Sequence, residues 1–277
     1  MPYLTRILMI LRAWLLVGFF LTYPPALFAN NTVHTSYKNH LGMEFVLIPA
    51  GTFWMGSPPS EPDRNEDETL HRVKISSDFY MQTTEVTRQQ WKALMLGDPS
   101  SFKHCGDQCP VHRVQWDWVM MFIKKLNQVN PKYRYRLPTE AQWEYAARAG
   151  SQAPFGYGRC VTQRHGVLDF RDTLPLCVPG DAALGPLPVA SLESNAWGLY
   201  DMHGNVWEWV SDWYGPYPTA DSAKAVVNPT GPEEGDFRII RGGSWKYPAV
   251  FARSANRKIA KRPIAGFRLV LEINDTQ

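Results

Sequence analysis

A twenty-residue stretch from Asn195 to Tyr214 constrains this chain more than any other part of it. It contains four tryptophans, two glycines, two asparagines and three acidic residues. Large aromatic rings favour rigid packing, whereas glycine, asparagine and aspartate favour oxygen-rich turns. This combination indicates a segment wrapped around an ion or a pocket rather than an ordinary loop.

Four positions in the stretch have the spacing of ligands to a hard cation. Asp201 and Glu208 supply carboxylates, and the main-chain carbonyls of Gly204 and Val206 fall between them. Calcium prefers several such oxygens from one compact loop. The alternative is a buried aromatic turn in which Glu208 accepts backbone hydrogen bonds, because ligand patterns of this kind are loose. Spacing alone leaves both interpretations open.

The same stretch resembles the signature of the formylglycine-generating enzyme family, also called sulfatase-modifying factors. Five further blocks resemble this family in the expected order, and with the central stretch they cover roughly residues 40–272. Six ordered blocks are far more specific than one motif. The five blocks are Phe45–Ser57, Phe79–Met81 with Glu85-Val-Thr and Trp91, Tyr135–Gly150, Arg241–Trp245 and Gly266–Val270.

The resemblance implies a fold and metal sites. The fold is α+β, a single compact domain related to C-type lectins with much irregular backbone, here over residues 40–273. The implied structural calcium site falls on the four positions named above, Asp201, Gly204, Val206 and Glu208. A second calcium site would include Asp181, which lies in a stretch that departs from the family pattern.

The most consequential departure follows the Gly-Gly-Ser block. Family members that oxidise a substrate cysteine to formylglycine bind copper(I) through two cysteines five residues apart, the first of them three residues after the serine. Counting from Ser244, this chain has Tyr247 and Ala252 at those positions. Copper(I) selects soft sulfur ligands, which a phenol and a methyl group cannot replace. We therefore expect no copper, and the family reaction is in doubt.

The resemblance also implies a peptide-facing pocket. Its lining would comprise Ser244, Trp245, Tyr247, Arg253 and Asn256, with the serine at the pocket floor rather than acting as a nucleophile. In the alternative interpretation, Arg253 and its neighbour Arg257 hold acidic residues of the central stretch in place. The sequence does not separate the two.

The first 29 residues are typical of a secretory signal. Arg6 and Arg12 precede an apolar run from Ala13 to Leu21, and Ala29 offers a small residue for cleavage. An uncleaved membrane anchor is the alternative. Residues 30–39 are polar and predict a flexible lead-in. We therefore expect a secreted or periplasmic protein, with membrane contact only if the leader is retained.

Export to an oxidising compartment favours disulfides for the four cysteines. We expect Cys105 to pair with Cys109 and Cys160 with Cys177, because each pair would close a local loop. The alternative is a redox-active or metal-binding pair at Cys105 and Cys109, although their spacing is not that of the common redox and zinc motifs.

Charge and periodicity add further expectations. Without the two leader arginines the chain has 27 basic and 26 acidic residues, which gives no indication of a nucleic-acid partner. Periodicity predicts helices over residues 84–96, 115–129 and 139–148, and none over 153–185. Within the third helix, Glu140 and Glu144 lie four apart and resemble a catalytic pair; we interpret Glu144 as a structural partner for an arginine.

Three functions fit these observations. The first is formylglycine formation in an exported sulfatase, against which the missing thiols argue. The second is a divergent oxidative maturation factor for exported peptide products, like family members that lack the cysteine pair and modify siderophore precursors. The third is a lectin-like binding or scaffold module without chemistry. The expected partner is an exported peptide or protein.

Overall fold

This computed structural model describes residues 36–217, 224–260 and 265–273, and it confirms an α+β fold with much irregular backbone. The largest sheet is antiparallel and has the strand order β1-β2-β5-β11-β6. The chain therefore brings its last described strand into the middle of a sheet begun by its first ones. These strands are β1 (Ser36–Lys38), β2 (Glu44–Ile48), β5 (Phe79–Gln82), β6 (Tyr133–Arg136) and β11 (Val270–Ile273).

Two three-stranded sheets accompany it. One has the order β3-β4-β8 and the other the order β10-β9-β7. In the second sheet the pairing of β7 with β9 shifts register between Trp209 and Trp213, as at a β-bulge. The strands are β3 (Gly51–Met55), β4 (His71–Ile75), β7 (Glu208–Trp213), β8 (Val226–Val227), β9 (Arg238–Arg241) and β10 (Lys258–Ile259).

Three α-helices, α1 (Arg88–Leu94), α2 (Trp116–Val129) and α3 (Glu140–Arg148), lie close to the predicted ranges. Thr139 caps α3 through a reciprocal capping box with Gln142, as the Pro-Thr start of that helix predicts. The first helix begins later than expected, because Thr87 rather than Thr84 forms its capping box.

The apolar face of α2 is narrower than the sequence pattern indicates. Phe122, Ile123 and Leu126 are buried, but Trp118 and Met121 are exposed. Trp118 and Met121 therefore lie on the solvent side of the helix. The side of α2 that faces the core takes only every third or fourth residue.

The third helix lies next to the central stretch. Trp143 and Ala146 belong to the same buried cluster as residues of β2 and β5. From the central stretch, Asn195 donates a side-chain hydrogen bond to the Ala146 carbonyl at 2.8 Å. The α3 helix therefore connects the sheet core to the segment that carries the predicted metal ligands.

The segments outside regular elements also have defined structure. Residues 153–185 contain no helix, as predicted, and are built from turns and bends. Part of the expected lead-in differs, because residues 36–38 form β1 and pair with β2. The predicted signal segment, residues 1–29, lies outside the described residues. Within the described ranges, no helix has the length and apolar character needed to cross a bilayer.

Candidate functional site

The central stretch turns sharply at the predicted ligands. Asp201 and Asn205 adopt positive φ angles of 59° and 60°, and Gly204 has a φ of 121°. A Cβ atom at Gly204 would lie 2.5 Å from the carbonyl oxygen of Val167, so only glycine fits this approach. The stretch is fastened to the following block by the Gly204 amide, which donates to the Gly242 carbonyl at 2.8 Å.

Glu208 is held by side chains rather than by the backbone. Arg268 donates to both of its carboxylate oxygens at 2.7 Å, and the indole nitrogen of Trp143 donates at 2.9 Å. All three side chains are fully buried. The guanidinium of Arg268 also donates to the Tyr200 carbonyl at 2.8 Å, which connects the last family block to the turn that begins at Asp201.

Glu85 is an unexpected member of this group. It is fully buried, and neither of its carboxylate oxygens accepts a hydrogen bond from a described donor. Its carboxyl group contacts that of Asp201, and the pKa of Glu85 is raised well above its ordinary value by burial and by the charges of Asp201 and Glu208. Burial likewise raises the pKa of Asp201.

The acid count at this loop fits a bound cation. Glu85, Asp201 and Glu208 face only one buried counter-charge, that of Arg268, so two carboxyl groups lack a cationic partner. Elsewhere in the described interior, Glu61, Glu68, Glu140 and Glu144 each pair with a buried arginine, whereas Asp212 forms no ion pair. Hard divalent cations prefer carboxylate and carbonyl oxygens of this kind. In the described ranges no three His, Cys, Asp or Glu side chains gather around one point, so a calcium ion here would depend on the Gly204 and Val206 carbonyls as well.

The proposed second calcium residue lies in a different setting. Asp181 is exposed, and its carbonyl oxygen accepts a hydrogen bond from the Phe170 amide at 3.4 Å. It lines a cavity of about 420 Å³ whose wall is otherwise mostly apolar. The structure brings no second described acid to its carboxylate.

Glu144 is a structural partner of arginines, as the sequence interpretation expected, and Glu140, which the sequence suggests is only a first-turn charge, is bound by arginines as well. Arg241 is fully buried and pairs with Glu140 at 3.0 Å and with Glu144 at 2.6 Å. Arg148 binds the other oxygen of Glu144 at 2.9 Å, and Arg257 binds Glu140 through two nitrogens at 2.8 and 3.0 Å. Two acids with three arginines around them are locked in hydrogen bonds, which leaves neither free for proton transfer.

The structure places Arg253 in a second buried cluster. It is fully buried and pairs with Glu61 at 2.7 Å and with Glu68 at 2.7 and 2.8 Å. The acids it holds therefore come from the loop of residues 58–68 and not from the central stretch. The Pro, Asp and Glu content of that loop predicts an exposed segment. In the structure Glu61 and Glu68 are nevertheless buried, because Arg253 supplies their counter-charge.

The remaining pocket residues surround an aromatic group. Tyr247 contacts Trp207 and Phe251 with ring centroids 5.6 and 5.5 Å apart, and the rings are nearly perpendicular. The ammonium of Lys258 lies between 5.1 and 5.8 Å from the centroids of all three rings. We call Trp207, Tyr247 and Phe251 the aromatic cage. Ala252, at the second cysteine position, is fully buried behind it.

Ser244, Trp245 and Asn256 lie around this cage. Ser244 is buried, and its carbonyl accepts from the Tyr247 amide at 2.9 Å. The Trp245 ring packs edge-on against Phe102 at 4.8 Å. Asn256 is almost fully buried and has a side-chain oxygen without a described donor. It lines a cavity of about 380 Å³ together with Phe251 and Lys258.

Sequence reasoning missed Glu85, Phe251 and Lys258 as members of these groups. The signal for Glu85 was its position in the Glu85-Val-Thr family block. There an acid stands directly before the buried Val86 and Thr87, which caps α1. Nothing in the sequence singles out Lys258, because its contacts come from the central stretch, through Trp207, and from the segment that carries Tyr247 and Phe251.

The predicted disulfides are confirmed. Cys105 pairs with Cys109 and Cys160 with Cys177, at Cα separations of 5.9 and 5.6 Å. All four cysteines of the chain are therefore oxidised, and no thiolate is available as a copper ligand in this form. The second disulfide closes the divergent segment, which connects to the cage where the Asp169 amide donates to the Tyr247 carbonyl at 3.0 Å.

The comparisons with known proteins agree with this arrangement. The domain family described as sulfatase-modifying factor enzyme 1-like matches residues 30–273. The formylglycine-generating enzyme of Bos taurus is 32% identical over 81% of this chain and 74% of its own length. The formylglycine-generating enzyme of Thermomonospora curvata is 38% identical over 57% of this chain. That match spans only 54% of the length of the Thermomonospora enzyme.

Among solved structures, PvdO from Pseudomonas aeruginosa is similar. It has a TM-score of 0.69 and 32% sequence identity, and the match covers 86% of this chain and 98% of PvdO.

Proposed function

This chain belongs to the sulfatase-modifying factor family, and we propose that it is a divergent, exported member, stabilised by calcium, that binds a peptide or protein substrate and acts without copper as a maturation factor. One observation carries the proposal. The buried framework of the family blocks is intact, whereas the positions of the copper-binding cysteines hold Tyr247 in an aromatic cage and the buried Ala252.

Calcium is supported by the charge excess at the central loop. Asp201, Glu208 and the carbonyls of Gly204 and Val206 would hold the ion, and Glu85 adds a third buried negative group beside them. When bound, calcium would neutralise these acids and fix the turn that carries Trp207. Asp181 remains a weaker candidate for a second ion.

Export is supported by the two disulfides, since such bonds persist in oxidising compartments. The leader of residues 1–29 fits a signal segment. Amino-terminal sequencing of the protein recovered from a periplasmic or culture fraction tests this; cleavage after Ala29 is expected, and an intact leader in the membrane fraction would indicate an anchor instead.

The decisive experiment concerns the reaction. A peptide with the sulfatase Cys-x-Pro-x-Arg motif is incubated aerobically with the purified mature protein, copper(I) and a reductant, and is then analysed by mass spectrometry. A formylglycine-generating enzyme assayed in parallel serves as positive control. We expect an unchanged peptide. Conversion of its cysteine to formylglycine would overturn the proposal and restore the family reaction.

A binding or scaffold role is the second candidate, since the calcium loop and core would serve it equally. Replacing Ser244 by Ala and Tyr247 by Phe separates the two. A maturation factor loses product formation on its exported peptide without losing affinity, whereas a scaffold changes affinity alone.

A further inference from the structure

We propose that the aromatic cage of Trp207, Tyr247 and Phe251 is a binding site for a peptide amine, a lysine side chain or a free amino terminus, and that Lys258 occupies it in the resting protein. The inference rests on the proposed function, which includes binding of a peptide substrate. Tyr247 belongs to the pocket that the family resemblance assigns to this peptide. It identifies the chemical group that this pocket recognises.

The geometry of the cage is that of a cation–π site. The Lys258 nitrogen lies 5.8 Å from the Trp207 ring centroid, 5.4 Å from that of Tyr247 and 5.1 Å from that of Phe251. Cations within about 6 Å of a ring centroid are attracted by the negative face of the ring. Adjacent rings meet at 75° and 73°, so the three rings line different sides of one space rather than stacking.

The ammonium of Lys258 has no stronger partner among the described residues. It forms no ion pair with any described carboxylate, in contrast to the buried arginines nearby. The Lys258 residue is partly exposed, whereas Trp207 is almost fully buried. The cage is therefore rigid at its base, and its occupant sits at the solvent side, where a competing amine can replace it.

Two buried polar groups beside the cage lack a hydrogen-bond partner among the described residues. The indole N–H of Trp207 and the side-chain oxygen of Asn256 are both buried without a hydrogen-bond partner in the described structure. Asn256 lines the cavity of about 380 Å³ that also contacts Phe251 and Lys258. A peptide supplies both an amide N–H for Asn256 and an ammonium for the rings, which a simple metal cation or an anion does not.

The first test uses the protein without any substitution. Its lysines are converted chemically to ¹³C-dimethyl-lysines, which retain their charge, and the methyl resonances are recorded by NMR. We expect one resonance displaced upfield by the ring currents of the cage, missing from the Lys258→Arg protein. Adding Nα-acetyl-lysine methylamide moves it toward the position of free lysines. A Lys258 resonance at the ordinary position, or one unmoved by the probe, overturns the proposal.

The second test measures affinity. Lys258→Met removes the competing ammonium while preserving the apolar stem, and calorimetry should show about tenfold tighter binding of Nα-acetyl-lysine methylamide than in the unaltered protein. The ε-acetylated, neutral form of the same probe is the ligand control and should not gain affinity. Adding Phe251→Leu to Lys258→Met should abolish the gain. Equal binding by both variants contradicts the proposal.

The outcomes separate this inference from the proposed function. Neither test uses copper or a sulfatase peptide, so a negative result leaves the calcium and maturation proposals standing. Conversely, formylglycine formation would overturn the proposed function without changing the NMR result. If Lys258→Met fails to fold, judged by circular dichroism, the NMR experiment on the unaltered protein decides alone.

Discussion

Arg268 and Glu208 form a two-point ion pair, with both nitrogen–oxygen distances at 2.7 Å and neither side chain exposed to solvent. The pair joins the segment before β11 to the central stretch. Because Glu85 and Asp201 face the same guanidinium, Arg268 is, among the described residues, the one buried positive charge that these three acids share. Its loss affects the loop more than the loss of a single pair would.

Replacing Arg268 by Met should therefore destabilise the protein by about 3–5 kcal/mol, because it strands buried carboxylates without a counter-charge. Urea unfolding followed by circular dichroism measures the change. Arg134→Met is the matched control, since Arg134 is 67% exposed and its contact with Glu272 is 3.8 Å long. That control should cost less than about 1 kcal/mol. Similar losses of unfolding free energy in the two variants would show that the buried ion pair contributes no more to stability than an exposed one.

Calcium should raise the melting temperature, and Glu85 should govern how much. Ligand at about one hundred times its dissociation constant stabilises a folded protein by about 2.7 kcal/mol. Glu85→Gln removes one uncompensated acid, so the calcium-free protein should become more stable at neutral pH while the gain from calcium shrinks. Melting curves in EGTA and in calcium measure both effects. Asp117→Asn, at an exposed position of α2 outside both candidate sites, is the control, and its melting curves should match those of the unaltered protein. An unchanged calcium response in Glu85→Gln would argue against Glu85 acting on this site.

His203 should make the protein sensitive to acid. Burial lowers its pKa to about 4, and its ring is bonded on both sides, to the Ala252 carbonyl at 2.8 Å and the Gly156 amide at 3.0 Å. Because the unfolded chain takes up this proton near pH 6.5, the stability that neutral His203 contributes is present above that pH. It is lost as the pH falls toward 4, by up to about 3 kcal/mol.

His203→Gln removes this titration, so its free energy of unfolding should fall less steeply between pH 6.5 and 4.5. Urea titrations at several pH values measure the slope. His165, whose pKa is also lowered by burial, changes stability in the same direction, and His165→Gln is the control for a half-buried ring. A slope unaltered by His203→Gln would exclude His203 as the acid-sensitive group.

Asp212 should act in the opposite direction. Burial, followed by the charge of Glu140, raises its pKa to about 7. A raised acid contributes stability that is complete below its unfolded pKa, near 3.8, and that is lost as the pH rises through 7. The Asp212 carboxylate accepts hydrogen bonds from the Glu140 amide and the Ser211 hydroxyl, both at 2.9 Å, which an asparagine oxygen can also accept.

Asp212→Asn should therefore gain stability relative to the unaltered protein between pH 5 and pH 8, on the order of 2 kcal/mol. Unfolding at the two pH values measures the difference. Asp117→Asn, at an exposed position of α2, should show the same small effect at both. A difference for Asp212→Asn that does not change with pH would rule out titration as its cause.

The disulfides should contribute unequally. In the chain-entropy description, opening the loop between Cys160 and Cys177 costs about 3 kcal/mol, and opening the shorter loop between Cys105 and Cys109 costs about 2 kcal/mol. Paired serine variants of each bridge, unfolded in urea, test this order. Limited proteolysis should cut the first variant within residues 160–177, where the bridge and a small apolar cluster hold irregular backbone. Cleavage elsewhere would contradict a local role.

The sequence by itself determined the features that depend on local chemistry and on motif order. The α3 helix follows from Thr139 and its capping partner, the disulfide pairs from short loop closure, the family from six ordered blocks, and the structural role of Glu144 from its place on a packed helix. Each of these depends on residues that are close in sequence or on a recognisable pattern, so no long-range information was needed.

Only the tertiary structure decided where the distant charges and rings meet. Arg253 binds Glu61 and Glu68 across nearly two hundred residues, and Glu85 lies against Asp201 although more than one hundred residues separate them. Lys258 reaches an aromatic cage assembled from the central stretch, which supplies Trp207, and from the segment after Ser244, which supplies Tyr247 and Phe251. A buried charge takes whichever counter-charge the fold brings to it, and aromatic faces attract a cation only at contact distance, so neither pairing is encoded by spacing along the chain.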